Sequence, residues 1–221
     1  MITVYNEIRV EKENLRMNDK ALFQLTYGLY VLTAAKDGRQ TGCIINTAGQ
    51  VTNTPNRIQI AVNKANYTHD VIKETGVFNV SMLSQQASFD LFKRFGFQSG
   101  RDVDKFEGFD GYALGENGVN YITEGCNGYI SVKVEQTLDL DTHTLFIGPV
   151  TDMDVLNNVP STTYTYYQEN IKPKPQAPQG EGKPVWICKI CGYVYEGEEL
   201  PADYICPLCK HPASDFEKGI R

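Results

Sequence analysis

Four of the six cysteines in the 221-residue chain, Cys188, Cys191, Cys206 and Cys209, are set out as C-x2-C-x14-C-x2-C near the C-terminus. C-x2-C is the spacing at which two thiolates can grip one metal ion from a single turn of backbone. Two such pairs converging make a tetrahedral all-sulfur site, which suits zinc or iron, and the spacing alone leaves both open. The unit that carries them, residues 185–221, is below the size at which a hydrophobic core alone stabilises a fold, so the metal is expected to hold it together. Gly192, directly after the second ligand, allows a turn of positive φ that points amide N–H groups at sulfur. Cys43 and Cys126 have no cysteine or histidine close by in sequence and read as buried small hydrophobes.

The surroundings of the pairs say more than their spacing. "WICKICGYVY", then "CPLC" and "SDFE", resemble the rubredoxin family, in which a single iron sits in a four-cysteine site packed on aromatics. The resemblance implies iron at Cys188, Cys191, Cys206 and Cys209, with Trp186, Tyr193, Tyr195, Tyr204 and Phe216 as the matching aromatics. The stretch between the pairs is shorter than in free-standing rubredoxins and is similar to the form fused to rubrerythrins. Lys210 stands where that family usually has glycine after the fourth cysteine. A left-handed conformation there would cost about 1 kcal/mol.

A second place for chemistry is "NKANYT", which puts Lys64 and the hydroxyl of Thr68 at the start of an expected helix. A helix N-terminus favours an anion; the plain alternative is that Asn66 or Thr68 only caps the helix and Lys64 is solvated. The elements around it read as β-rich. An Asp37-Gly38 turn joins the expected strands 28–35 and 40–52 into a hairpin, and 58–63 alternates apolar with polar. A helix follows, with Gly76 as terminator, then a strand over 77–83, a short helix ending at Gly96, and two long strands, "YISVKVEQTLDL" and "HTLFIGPVTDMDV". Many short strands with few helices predict a mainly β fold, a closed or split barrel rather than a doubly wound sheet. No G-x-G-x-x-G and no G-x-x-x-x-G-K-[ST] is present, so neither a Rossmann dinucleotide site nor a P-loop is supported.

The stretch 42–68, "GCIINTAGQVTNTPNRIQIAVNKANYT", continuing through "VIKETGVFNVSML", resembles the flavin reductase-like split barrels that bind FMN. The resemblance implies that the strand Cys43, Ile44, Ile45, Asn46 and Thr47 runs along the isoalloxazine edge, with Asn46 toward the ribityl chain and Thr52 reaching the cofactor from the turn beyond. Asn63, Lys64 and Thr68 would hold the phosphate end. "FKRFGFQSGRDVDKF" is similar to a family loop near the flavin, which makes Phe95, Ser99 and Arg101 further candidates. No catalytic proton donor is expected. His69, His143 and His211 show no ligand spacing and read as satisfied or surface histidines.

Between the two sites, 170–184 reads "NIKPKPQAPQGEGKP", with four prolines and two glycines. It is a semi-rigid linker between a domain over 1–169 and one over 185–221. Together the halves resemble the high-molecular-weight rubredoxins. That implies a path from NAD(P)H to FMN to one iron per chain and on to a partner, a flavodiiron protein reducing nitric oxide or dioxygen, and it suggests a homodimer. Two other classes remain open: a diffusible-flavin reductase, and a non-enzymatic FMN-binding protein with a structural zinc ribbon. A net charge of −6 and a pI near 5.1 argue against a nucleic-acid partner. No apolar leader and no run of 18 apolar residues is found, so no membrane partner is expected and the cytoplasm is the expected location.

Overall fold

A computed structural model of the chain describes residues 18–173, 184–190, 192–207 and 211–220. Strands β1 (Tyr30–Lys36) and β2 (Arg39–Ile45) form the expected hairpin. Both turn residues have positive φ, 51° at Asp37 and 79° at Gly38, the pair of values a two-residue turn needs to match strand twist. The single strand expected over 40–52 is broken: β2 stops at Ile45 and β3 (Gly49–Asn53) starts a new pairing. The cause is local. Thr47 donates through Oγ1 to the Ala61 carbonyl at 2.7 Å and accepts from the Ala61 amide at 3.2 Å, which turns the chain away from β1 and onto β4 (Asn56–Asn63).

Helix α1 (Tyr67–Thr75) follows β4, with Asn66 at its N-cap and Gly76 closing it at φ 70°, where the Gly76 amide bonds the Ile72 carbonyl. Strand β5 (Val77–Leu83) leads to α2 (Phe89–Gly96), capped by the Ser88 hydroxyl on the Leu91 amide. A small hairpin of β6 (Tyr112–Leu114) and β7 (Asn120–Ile122), not expected from the sequence, precedes β8 (Cys126–Lys133). "YISVKVEQTLDL" is also broken, into the end of β8 and a separate β9 (Gln136–Leu140). The long β10 (His143–Val155) serves two partners, pairing through His143–Pro149 with β4 and through Val150–Val155 with β8.

The main sheet runs β2-β1-β5-β8-β10-β4-β3, with β9 also on β10, and every pairing is antiparallel. β2 and β3 end this order without pairing with each other, so the sheet is open and the barrel is split. Alternation along the strands sorts side chains between two cores. Leu32, Cys43, Ile60, Phe78 and Phe146 meet α1 inside the barrel. On the other face Val31 and Leu83 pack against Phe92 and Phe95 of α2. A helical stretch, α3 (Tyr164–Tyr166), continues as a wider turn to Ile171, which packs on the α2-side core, so ordered structure of the first domain extends into the stretch read as linker.

The C-terminal unit is a three-stranded antiparallel sheet, β12 (Val194–Glu196), β11 (Pro184–Cys188) and β13 (Phe216–Ile220), with β11 in the middle. Its core gathers Cys188, Cys206 and Phe216, with Trp186, Tyr193, Tyr195 and Tyr204 against them.

Candidate flavin site and cysteine centre

Strand β2 carries the first group of candidates, and its alternation divides them. Cys43 and Ile45 face the inner core and are buried. The Cys43 thiol is pushed up to about 11 by burial, against the opposing pull of the Lys105 ammonium and a hydrogen bond with Thr68. A thiol with that pKa in the core stays protonated and is no nucleophile. Ile44 and Asn46 lie on the other face and line two neighbouring cavities. One, of about 480 Å³, is bounded by Ile44, Phe92, Phe97 and Tyr167. The other, of about 540 Å³, is bounded by Leu22, Tyr27 and Asn46, and both share Tyr164 and Gln168. Each lies within the range for small-molecule sites, and the mix of apolar walls with two amides suits an amphipathic ring bearing a polar chain.

The candidate phosphate end is only partly assembled. Asn63 Oδ1 accepts from the Ala65 amide at 2.8 Å and shapes the turn into α1, while Lys64 Nζ pairs with Asp139 at 2.6 Å. Thr68 is 2% exposed and its hydroxyl serves Cys43, so that side chain is turned away from the helix start. The Asn66 side chain caps nothing. Two arginines gather at the same end of α1, Arg39 at 5.4 Å and Arg101 at 5.5 Å from the Tyr67 ring. Arg101 also holds Asp70 and the Ala65 carbonyl, and Arg39 donates to the Gly100 carbonyl. Beside them the Thr41 hydroxyl is buried without a partner, facing Gly100, where a Cβ would collide with it. Three cations, an end without a side-chain cap and an orphaned hydroxyl fit a phosphate group. Arg39 was not anticipated; a lone arginine after a turn carries no sequence signal.

Other candidates fall outside this corner. The Thr52 hydroxyl donates to the Pro55 carbonyl at the tip of the β3–β4 hairpin, at the opposite end of β4 from Asn63. Phe95 is fully buried on the inner face of α2, and Ser99 accepts from the Arg101 amide in the loop. His69 is satisfied by Asp70 and Thr144.

Lys105 was not singled out from the sequence. It is 3% exposed, and its Nζ donates to the Gly42 carbonyl on β2 at 2.7 Å and to the Phe95 carbonyl near the end of α2 at 2.9 Å. The carbonyl end of a helix favours a cation, which offsets part of the burial cost. Burial still pulls its pKa down to about 8, with Cys43 acting the other way.

In the C-terminal unit Cys188 and Cys206, one from each pair, are buried together against Phe216. The Gly192 amide bonds the Cys188 carbonyl at 2.8 Å with φ at 77°, the turn expected after the second ligand. Cys191, Cys209 and Lys210 lie outside the described residues. Two soft sulfur ligands meeting in an aromatic shell fit the metal the spacing implies. Phe97, from the end of α2, packs on this cysteine cluster, and Lys172 Nζ donates to the Lys189 carbonyl at 2.8 Å. Lys189, Ile190 and His211 complete the wall of the cavity that Ile44 lines.

An open antiparallel barrel with a cavity along one edge strand, joined to a small sheet with paired cysteines, defines a two-module redox protein. Residues 22–174 match the flavin reductase like domain, and 186–217 match the rubrerythrin, rubredoxin-like domain. The chain belongs to the flavin reductase-like family, in the rubredoxin-fused form of the high molecular weight rubredoxins, and is an oxidoreductase. It is 37% identical to the high molecular weight rubredoxin of Moorella thermoacetica over 91% of this chain and 100% of that one. It is 38% identical to a ferric-chelate reductase (NAD(P)H) of Archaeoglobus fulgidus over 68% of this chain and 89% of that one. In fold it is similar to an NADH:FAD oxidoreductase, SgcE6, of Streptomyces globisporus, with a TM-score of 0.59 at 20% identity, covering 70% of this chain and 90% of that one.

Proposed function

We propose that the chain binds FMN beside β2, receives hydride from NAD(P)H there, and delivers electrons one at a time through an iron held by Cys188, Cys191, Cys206 and Cys209. FMN supplies the conversion between a two-electron donor and a one-electron carrier. The chain's own residues do the positioning. Ile44 and Tyr164 offer apolar walls for the ring, Asn46 and Gln168 offer amides, and Lys64, Arg39, Arg101 and the first amides of α1 receive the phosphate. The Thr68 side chain has no part in this; its place at the site is by backbone only. The observation that carries the reading is the shared cavity, walled on one side by Ile44 of β2 and on the other by Ile190, which stands between two of the cysteines.

The recipient we assign, on the family resemblance, is a flavodiiron protein that reduces nitric oxide or dioxygen in the cytoplasm. A homodimer is supported by an apolar cavity of about 370 Å³ on the open side of the barrel, lined by Tyr30, Ile58, Met82, Ile130 and Val150, beside exposed Met153. The test is a visible spectrum with metal analysis, followed by anaerobic NAD(P)H. One iron per chain, FMN that stays bound on gel filtration, and bleaching of both chromophores are expected. A colourless chain holding only zinc, or flavin that leaves on reduction, would overturn the reading in favour of the structural ribbon or the diffusible-flavin reductase.

A further inference from the structure

We propose that the cysteine-bearing unit docks on the barrel through one defined face, with Phe97 as its seat, and that this contact is where electrons enter the metal site. The proposal rests on the flavin lying along β2. Phe97 is the residue that ends α2, and the residue before it, Gly96, approaches Ile44 so closely that a Cβ there would stand 3.3 Å from the Ile44 side chain. The Phe97 ring packs against the cluster of Cys188, Cys206 and Phe216, where every other member among the described residues comes from the C-terminal unit. An edge-to-face contact with Phe89, at 5.8 Å between ring centres, fixes the ring from the other side. The route from the edge strand to sulfur is therefore Ile44, the end of α2, Phe97 and the cysteines.

Two polar features align the face. Lys172 reaches from the end of the first domain to the Lys189 carbonyl, in the loop that follows Cys188. Pro173 brings its carbonyl beside Gly192, where a Cβ would lie at 3.5 Å in ordinary contact. The loop that presents Ile190 thus faces the barrel, and an aromatic residue at the centre of a small contact is the usual form of an anchor. With both groups bound, this face would pass electrons singly, one lost by the reduced flavin and one gained by ferric iron at each step. No bond is made or broken.

A tether alone keeps two modules at a millimolar effective concentration, whereas a docked face fixes their distance and orientation. Removing the seat should therefore slow the internal step more than it slows reduction of the flavin. The experiment uses the full chain loaded with flavin and iron, as wild type, Phe97→Glu and Lys172→Glu. After anaerobic mixing with NAD(P)H, the flavin and iron absorbances are followed separately. Phe97 and Lys172 also wall the cavity that Ile44 lines, so flavin occupancy is first matched by titration. Iron bleaching slowed roughly ten-fold or more relative to the same protein's flavin reduction in Phe97→Glu, and less in Lys172→Glu, is the expected result. Small-angle X-ray scattering of the same proteins reads docking without redox chemistry, and Phe97→Glu should have the larger radius of gyration. If wild type bleaches its iron and both variants bleach as fast, the docking proposal falls and the electron path stands. If wild-type iron stays oxidised while its flavin is reduced, the electron path itself falls, and docking as an entry face falls with it.

Discussion

Lys64 and Asp139 form an exposed pair, and the pair sets a competition. A phosphate that claims Lys64 must displace Asp139, whose carboxyl is held below the usual carboxylate range by the hydrogen bond from Lys64. Asp139→Asn should therefore tighten FMN binding by about two- to five-fold, while Lys64→Ala should weaken it by roughly ten-fold, both read by fluorescence titration. Lys105 gives a prediction of a different kind. Its folded pKa of about 8 lies below the usual lysine value of 10.5, so between these pH values the unfolded chain binds more protons and stability rises with pH. Cys43 and Cys126, raised by burial to about 11 and 12 from 9.0, act in the opposite sense from about pH 8 upward. Between pH 8 and 9 Lys105 contributes a gain of about 1 kcal/mol, which the cysteines partly offset, so it is read as the difference between wild type and Lys105→Met, whose cysteines are the same. Urea melts at the two pH values measure it. Spacing marks the two cysteine pairs in the sequence, and Cys188 and Cys206, one from each, do come together, whereas a buried lysine has no spacing: only the packing of α2 on β2 reveals it.

At the scale of elements, β10 carries the fold, since it joins β4 and β9 on one stretch to β8 on the next. The changeover passes Gly148, where a Cβ would land on the Lys133 carbonyl oxygen. Backbone cannot yield as a side chain can, so Gly148→Ala should cost about 3 kcal/mol, visible as a lower urea midpoint. Gly49→Ala is the control, because the nearest atoms belong to the flexible Gln59 side chain at 3.7 Å, and it should cost under about 1 kcal/mol. The same level shows why the strand expectations succeeded and failed. The Asp37-Gly38 turn, the Gly76 stop and the alternation over 58–63 are local signals, and each appears as expected. The breaks after Ile45 and after Lys133 are not local. The first goes with Thr47 on Ala61, and the second with the Val134 amide on the Gly76 carbonyl and the Glu135 amide on the Ile147 carbonyl, partners far away in sequence.

For the whole molecule, the division of labour between the modules depends on where the first one ends. Ile171 packs on the α2-side core, and the Lys172 amide closes the last helical turn on the Tyr167 carbonyl. A fragment ending at Lys172 should keep FMN and oxidise NAD(P)H with ferricyanide as acceptor, yet fail to supply the partner protein. A fragment ending at Gln168 lacks the Ile171 contact and should melt several degrees lower, by about the 2 kcal/mol that an apolar side chain contributes. Equal partner turnover by the longer fragment and the full chain would mean that the cysteine centre is structural. The two-domain organisation was legible in the sequence because proline and paired cysteines mark it; the face between the domains was not, because Phe97 and Ile190 differ in nothing from other apolar residues until they meet across the cavity.

The two carbonyls that hold Lys105 also hide it from reagents. An acylating agent attacks an amine only when the amine meets water, so this side chain is modified only in those molecules where the loop carrying Lys105 has parted from β2 and α2. Its rate of acylation, read by mass spectrometry against Lys93 of α2, whose side chain meets water, is in effect a clock for that parting. A ligand resting on β2 would slow the clock, and the protein would then report its own occupancy through a residue that never touches the ligand.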